Sequence, residues 1–200
     1  MLPFGPLDGQ TWHLCIDMQR VFLEPGAWFC PAGLEIVPAI VRLTAHAPNR
    51  SAFTRFITAE RPEAAEGQWR RYYTRWKSVT RSVVGEEAMA LHADLLPLTE
   101  PALVFDKLVH DAFGSAAFDS FVRETAPSAL VLTGLETDVC VLATALTAVD
   151  RGIRVVVAVD AVASSNEASH AACLEHLYPR FDQQIELASV DAVIDAWRPA

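Results

Sequence analysis

The clearest fold signal in this 200-residue chain lies in Ala129-Leu-Val-Leu-Thr-Gly-Leu-Glu-Thr-Asp-Val-Cys140. Its first five residues are mostly apolar and predict a strand, and Gly134 begins a turn. A helical pattern then runs from about Val139 to Asp150, and the apolar run Ile153–Val159 predicts a central, buried strand. Strand, helix and strand in this order form the repeating unit of a parallel sheet.

The same alternation extends in both directions along the chain. Four more strands are predicted, at Trp12–Ile16, Ser51–Ile57, Ala102–Phe105 and Ile185–Ala188. Further helices are predicted at Glu35–Ala47, Ser115–Glu124, Glu167–Leu177 and Asp191–Trp197, with less regular helical stretches near Gln68–Lys77 and Glu86–Leu95. We therefore expect one α/β domain over residues 1–200: a three-layer α/β/α, Rossmann-like fold with a six-stranded, mostly parallel sheet.

The amino-acid composition and the net charge exclude some classes of binding partner. Hydrophobic residues make up 52% of the chain and charged residues 20%, which favours a large buried core. The net charge of −9 and the absence of a long basic run argue against nucleic acid or an anionic membrane as a partner. No leader-like segment and no apolar run of about 20 residues is present, so no membrane span is expected.

The number and spacing of the cysteines indicate the redox environment of the protein. The four cysteines are Cys15, Cys30, Cys140 and Cys173, and none forms a C-x-x-C pair. A chain with a good core does not require disulfides, so we predict free thiols in a reducing, cytoplasmic environment.

Three reactive side chains follow predicted strands: Asp17, Lys107 and Cys140. Ligands of open α/β sheets bind outside the carboxyl ends of the strands, so we expect the three to share one cleft. The turn at Gly134 leads into a helix that Thr137 or Asp138 could cap, and its amino terminus would favour a thiolate at Cys140. The sequence thus predicts a cysteine nucleophile with a carboxylate base and a lysine.

At these residues the sequence resembles the isochorismatase-like hydrolases, which include nicotinamidases and N-carbamoylsarcosine amidohydrolases. The segments that carry the resemblance are Cys15-Ile-Asp-Met-Gln-Arg-Val-Phe22, Phe105-Asp-Lys107 with Ser115-Ala-Ala-Phe118, Gly134-Leu-Glu-Thr-Asp-Val-Cys-Val141, and Asp160-Ala161. The third is the most specific of these, and the resemblance covers about residues 12 to 195.

The resemblance implies a catalytic triad of Asp17, Lys107 and Cys140. It also implies a cis peptide between Leu135 and Glu136, with the backbone N–H groups of Glu136 and Cys140 forming an oxyanion hole. The implied reaction is hydrolysis of a non-peptide C–N bond through a thioester, on a small carboxamide, ureido or carbamoyl substrate. Relatives are commonly oligomers, which implies a homodimer or homotetramer.

The sequence departs from metal-dependent nicotinamidases. Those enzymes carry Asp-x-His shortly after the second strand, whereas this chain reads Phe53-Thr-Arg-Phe-Ile-Thr-Ala-Glu-Arg-Pro62. We therefore predict no metal and no cofactor, and nicotinamide is disfavoured as the substrate. His110 and His170 lie near strand ends, where solvated or core-edge histidines are the more common outcome.

Aromatic residues are the candidates for binding the substrate. Phe22 and Trp28 follow Asp17 closely and are expected in the pocket wall. Trp76 is a further candidate, although the stripe it forms with Trp69, Tyr72 and Tyr73 is typical of a core or a subunit interface. Four arginines, at 55, 70, 71 and 75, could either bind a substrate carboxylate or form a solvated face.

Two alternatives remain open at this point. Relatives that hydrolyse the vinyl ether of isochorismate need an acid and often lack the cysteine, so Cys140 favours acyl transfer over that reaction. A catalytically silent relative that only binds a ligand is the other alternative. The identity of the substrate is not readable from the sequence.

Overall fold

The predicted strands form a single sheet in which every neighbouring pair runs parallel. A computed structural model describes residues 2–99 and 103–199. The strands are β1 Trp12–Ile16, β2 Ser51–Phe56, β3 Val104–Lys107, β4 Ala129–Leu135, β5 Arg154–Ala163 and β6 Ile185–Ala188. Their order across the sheet is β3-β2-β1-β4-β5-β6. The chain therefore builds the sheet outward on one side of β1 and then returns to build the other side from β4.

Eight α-helices accompany the sheet within residues 2–99 and 103–199. They are α1 Arg20–Leu23, α2 Pro31–His46, α3 Gly67–Arg75, α4 Arg81–Val84, α5 Ala116–Thr125, α6 Leu142–Asp150, α7 Glu167–Ala172 and α8 Val190–Ala196. Short 3-10 helices occur at Pro48–Arg50, Pro62–Ala64, Lys77–Val79, Glu86–Met89, Leu96–Leu98, Ala112–Gly114 and Tyr178–Phe181, and π-helical turns at Thr137–Val141 and Cys173–Leu177. None of these described helices has both the length and the apolar composition to cross a membrane.

The core divides into two layers because strand side chains alternate between the sheet faces. Cys15 and Val131 belong to the cluster that includes α2 and α8, whereas Leu14 and Leu132 belong to the cluster that includes α5 and α6. The expected three-layer architecture is confirmed, with an entirely parallel sheet.

Several predicted boundaries shift. Helix α2 begins at Pro31 rather than Glu35, because proline is well suited to the first helical position. Strand β3 ends at Lys107 rather than Phe105, and the predicted start of that strand, Ala102, lies outside the described residues. Strand β5 continues to Ala163, since its last residues pair with the end of β4 after a shift in register.

His13 ties the centre of the sheet together. It is fully buried in β1, and its ring nitrogens contact Ser51 Oγ on β2 at 3.1 Å and Thr133 Oγ1 on β4 at 2.8 Å. Burial lowers the pKa of His13 to about 3. The folded protein therefore holds a neutral imidazole over a pH range in which the unfolded chain binds a proton.

This difference predicts a loss of stability in mild acid. The free energy of unfolding should fall as the pH drops from about 6.5 toward 3, by up to roughly 4 kcal/mol from His13 alone. Urea titrations at several pH values would measure it, with His13→Gln showing a shallower pH dependence and the exposed His176→Gln serving as control. An NMR titration in which the His13 ring protonates near pH 6.5 would contradict the prediction.

Candidate functional site

Asp17 lies at the carboxyl end of β1, beside the point where the strand order reverses. Its backbone has φ 55°, a left-handed conformation that is uncommon for a residue other than glycine and concentrates at functional sites. The side chain is 1% exposed, and its Oδ1 accepts a hydrogen bond of 2.7 Å from Thr54 Oγ1 on β2. Asp17 is thus held at the edge of the sheet by the neighbouring strand.

Lys107 neutralises this carboxylate. Its Nζ lies 2.6 Å from Asp17 Oδ2, and its side chain is fully buried. The ammonium also donates to the backbone carbonyl oxygens of Val109 at 3.1 Å and His110 at 2.9 Å. Burial alone would lower the pKa of Lys107, but the negative charge of Asp17 opposes this effect and the pKa is raised, so the lysine stays an ammonium.

Gly134 brings the end of β4 against the end of β1. Its φ is +101°, and a Cβ at this position would collide with the backbone oxygen of Ile16, the residue before Asp17. Only glycine permits both the conformation and the approach. The turn that leads to Cys140 is therefore fixed beside Asp17.

The turn after β4 has the peptide geometry that the resemblance implied, but it continues into a different kind of helical turn. The peptide between Leu135 and Glu136 is cis, as the resemblance implied. Cys140 lies in the π-helical turn Thr137–Val141 that precedes α6, a geometry often found at functional sites.

The predicted helix caps are wrong. The hydroxyl of Thr137 lies 2.9 Å from His170 Nδ1, and Asp138 Oδ1 accepts a hydrogen bond of 2.6 Å from Ser164 Oγ. These side chains bond to neighbouring segments instead of to the helix, because the segments after β5 pack directly against the turn.

Asp17 and Cys140 line the same cavity, and the charges of Asp17 and Lys107 both act on the Cys140 thiol, so the three predicted residues meet. Burial raises the pKa of the thiol above its usual range, the charge of Asp17 raises it further, and Lys107 opposes this in part. The expectation that a thiolate is favoured at Cys140 is therefore wrong: burial and the charge of Asp17 outweigh the effect of Lys107, so the thiol is the favoured form.

A cavity of about 210 Å³ opens onto Cys140. All three predicted aromatic residues, Phe22, Trp28 and Trp76, line it, and Tyr72 joins them. The other two members of the aromatic stripe, Trp69 and Tyr73, line a neighbouring pocket, so α3 contributes to both.

His110 is the main residue that the sequence reasoning underrated. It lines the cavity with its Nδ1 3.8 Å from Cys140 Sγ, and its ring stacks on Phe56 at 5.9 Å. Burial and the charge of Lys107 lower its pKa, so its ring is held neutral. Its position three residues after Lys107 was the available signal. Thr54 was also missed, although it is a polar residue that follows Ala52 and Phe53 in the predicted strand.

The remaining candidates lie elsewhere. Arg55 pairs with Asp106 at 2.7 Å, and Arg70 donates to the carbonyl of Ala65; none of the four arginines lines the cavity.

In residues 2–99 and 103–199, no three His, Cys, Asp or Glu side chains converge as a metal-binding group. The donors available after β2, Thr58 and Glu60, do not form the Asp-x-His set that a metal-dependent relative would use.

Comparisons with known proteins agree with this arrangement. A family model described as the isochorismatase domain matches residues 11–189. A curated relative from Bacillus subtilis (strain 168), the uncharacterized isochorismatase family protein PncA, is 36% identical over 110 residues. That alignment covers 52% of this chain and 60% of the relative, so it spans less than two thirds of that protein.

Solved structures share the fold. A cysteine hydrolase from Pseudomonas syringae pv. phaseolicola 1448A superposes with a TM-score of 0.75 at 21% identity, covering 94% of this chain and 92% of its own. The structure of nicotinamidase PncA from Bacillus subtilis superposes with a TM-score of 0.69 at 28% identity, covering 88% and 98%.

Removing the buried cation should destabilise the fold. Lys107→Met leaves Asp17 buried without its counter-ion, at a cost of about 3–5 kcal/mol in unfolding free energy. Arg55→Met breaks the ion pair with Asp106, the residue before Lys107 in β3, and this pair is more exposed than the Lys107–Asp17 pair. The change should therefore cost under about 1 kcal/mol. Urea denaturation measures both.

A double-mutant cycle isolates the pair. Adding Asp17→Asn to Lys107→Met should recover part of the lost stability, since no unpaired charge remains. Strict additivity of the two single changes would show that the two charges do not interact in the fold.

Proposed function

The chain belongs to the isochorismatase family, and we propose that it is a cysteine-dependent hydrolase of non-peptide C–N bonds in small molecules. The observation that carries the proposal is that Asp17 and Cys140 line one cavity while the buried Lys107 pairs with Asp17 at 2.6 Å. A carboxylate base beside a thiol, with a cation that holds the base, is the arrangement that nucleophilic acyl transfer requires. The solved nicotinamidase of Bacillus subtilis supports an amide as the substrate.

The first half of the reaction forms a thioester. Because Cys140 rests as a thiol, Asp17 removes its proton as the sulfur attacks the carbonyl carbon. No free thiolate therefore has to form before the attack. The C–N bond then breaks, and Asp17 returns the proton to the departing ammonia or amine. Lys107 keeps the carboxylate oriented and its charge compensated throughout.

The second half releases the acid. Asp17 takes a proton from water, the hydroxyl adds to the thioester carbonyl, and the C–S bond breaks with return of the proton to Cys140. In both halves negative charge develops on the carbonyl oxygen, and we assign its stabilisation to the backbone N–H groups of Glu136 and Cys140. Donors of this kind contribute roughly 3–4 kcal/mol each to transition-state stabilisation.

Removal of the sulfur should abolish turnover. Cys140→Ala is expected to lower kcat for ammonia release by roughly 10⁴-fold or more, because the nucleophile acts as part of one unit with its base. Cys173→Ala, which removes another buried thiol that does not line the cavity, should retain activity. A panel of small carboxamides and ureido compounds, followed by ammonia release, makes the measurement.

The alternatives predict other outcomes. Vinyl-ether hydrolysis needs an acid and would survive Cys140→Ala, whereas a silent relative would bind compounds of the panel without releasing ammonia from any of them. Addition of a chelator should leave the rate unchanged, and a loss of rate that added metal restores would overturn the prediction that no cofactor is needed.

A further inference from the structure

We propose that the cavity selects flat carboxamides that carry a positive charge, and that the carboxylate of Glu136 sets this selectivity. The inference rests on the proposed hydrolysis of C–N bonds and adds to it the charge of the substrate. It follows from three features of the cavity: its aromatic wall, an uncompensated carboxylate, and the lack of a cation to receive an anionic group.

The aromatic wall is built around Trp28. Its ring stacks on Phe22 at 5.6 Å, and the rings of Phe56, Tyr72 and Trp76 lie 6.0 to 6.1 Å from it. All five rings line the same cavity. Aromatic faces carry partial negative charge, so such a wall binds flat groups and favours cations over anions.

Glu136 adds a full negative charge to this wall. Glu136 is half-buried and lines the cavity, and its carboxylate accepts a hydrogen bond of 2.8 Å from the backbone N–H of Ser165, another lining residue. None of the ion pairs among the described residues includes Glu136. The other acid of the cavity, Asp17, is neutralised by Lys107, so one net negative charge faces the ligand.

Among the residues that the structure describes, no arginine or lysine lines the cavity to offset that charge. His110 is held neutral, chiefly by burial. Arg75 stacks on the ring of Trp76 at 5.5 Å but is not part of the cavity lining. A substrate carboxylate would therefore lose its water without gaining a partner, whereas a substrate cation would meet both Glu136 and the rings.

The position of Glu136 also connects binding to the reaction. Its backbone N–H is one of the two groups assigned to the developing oxyanion, so the same residue carries an oxyanion donor and a negative charge. A positive charge on the substrate compensates the carboxylate in the transition state as well as in the bound state. Selectivity should therefore be visible in kcat/KM.

Three ring carboxamides of similar size and different charge test the proposal. They are 1-methylnicotinamide, a cation; nicotinamide, which is neutral; and 3-carbamoylbenzoate, an anion. We expect kcat/KM to fall in this order by about tenfold for each unit of charge.

Glu136→Gln keeps an acceptor for Ser165 and removes the charge. The ratio of kcat/KM between cation and anion should then shrink by more than about tenfold, leaving the smaller preference that the aromatic rings provide, with nicotinamide as the internal reference. Glu124→Gln, an exposed residue near the carboxyl end of α5, removes the same charge away from the cavity and should leave the ratio unchanged.

Binding to a Cys140→Ala variant separates this inference from the proposed function. Dissociation constants for the three compounds, measured by quenching of tryptophan fluorescence, should rank cation, neutral, anion even if none is hydrolysed. Ranked binding without ammonia release from the wild type would sustain the charge selectivity and remove the proposed function. Equal affinities, tighter binding of the anion, or no binding of any of the three would overturn the selectivity, whatever the turnover.

Discussion

The ion pair between Lys107 Nζ and Asp17 Oδ2, 2.6 Å long and shielded from solvent, is the constraint on which the site depends. Strand β2 lies between the two strands that carry these residues, so the lysine side chain must cross it to reach the carboxylate. It does so over the ring of Phe56, 5.0 Å from Nζ, while Thr54 on the same strand binds the other carboxylate oxygen. Three strands are thereby joined at one buried charge pair, which would be costly if either partner were missing.

The fourth strand completes the arrangement. Gly134 allows β4 to approach β1 closely, and the cis peptide and π-helical turn that follow direct Cys140 toward the ion pair. Burial raises the pKa of the thiol, and in the proposed reaction the adjacent carboxylate takes its proton.

The sequence was sufficient for the architecture and for the three central residues, since the carboxyl ends of parallel strands meet at one edge whatever lies between them. It was insufficient for side-chain contacts and pKa values that depend on segments packed nearby in the fold. The caps predicted for Thr137 and Asp138 gave way to bonds with His170 and Ser164, and the raised pKa of Cys140 reflects the packing around it. The place of His110 in the cavity depends on the loop after β3, whose course no local pattern specifies.

The most direct test of this account is the mass of the protein during turnover. Samples quenched in acid within milliseconds of mixing with a hydrolysed amide should contain a fraction heavier by the acyl group, and digestion should locate that group on the peptide with Cys140. The account predicts that this adduct disappears as substrate is exhausted. Steady ammonia release from a chain that stays unmodified at every time point, or an acyl group on another cysteine, would contradict it.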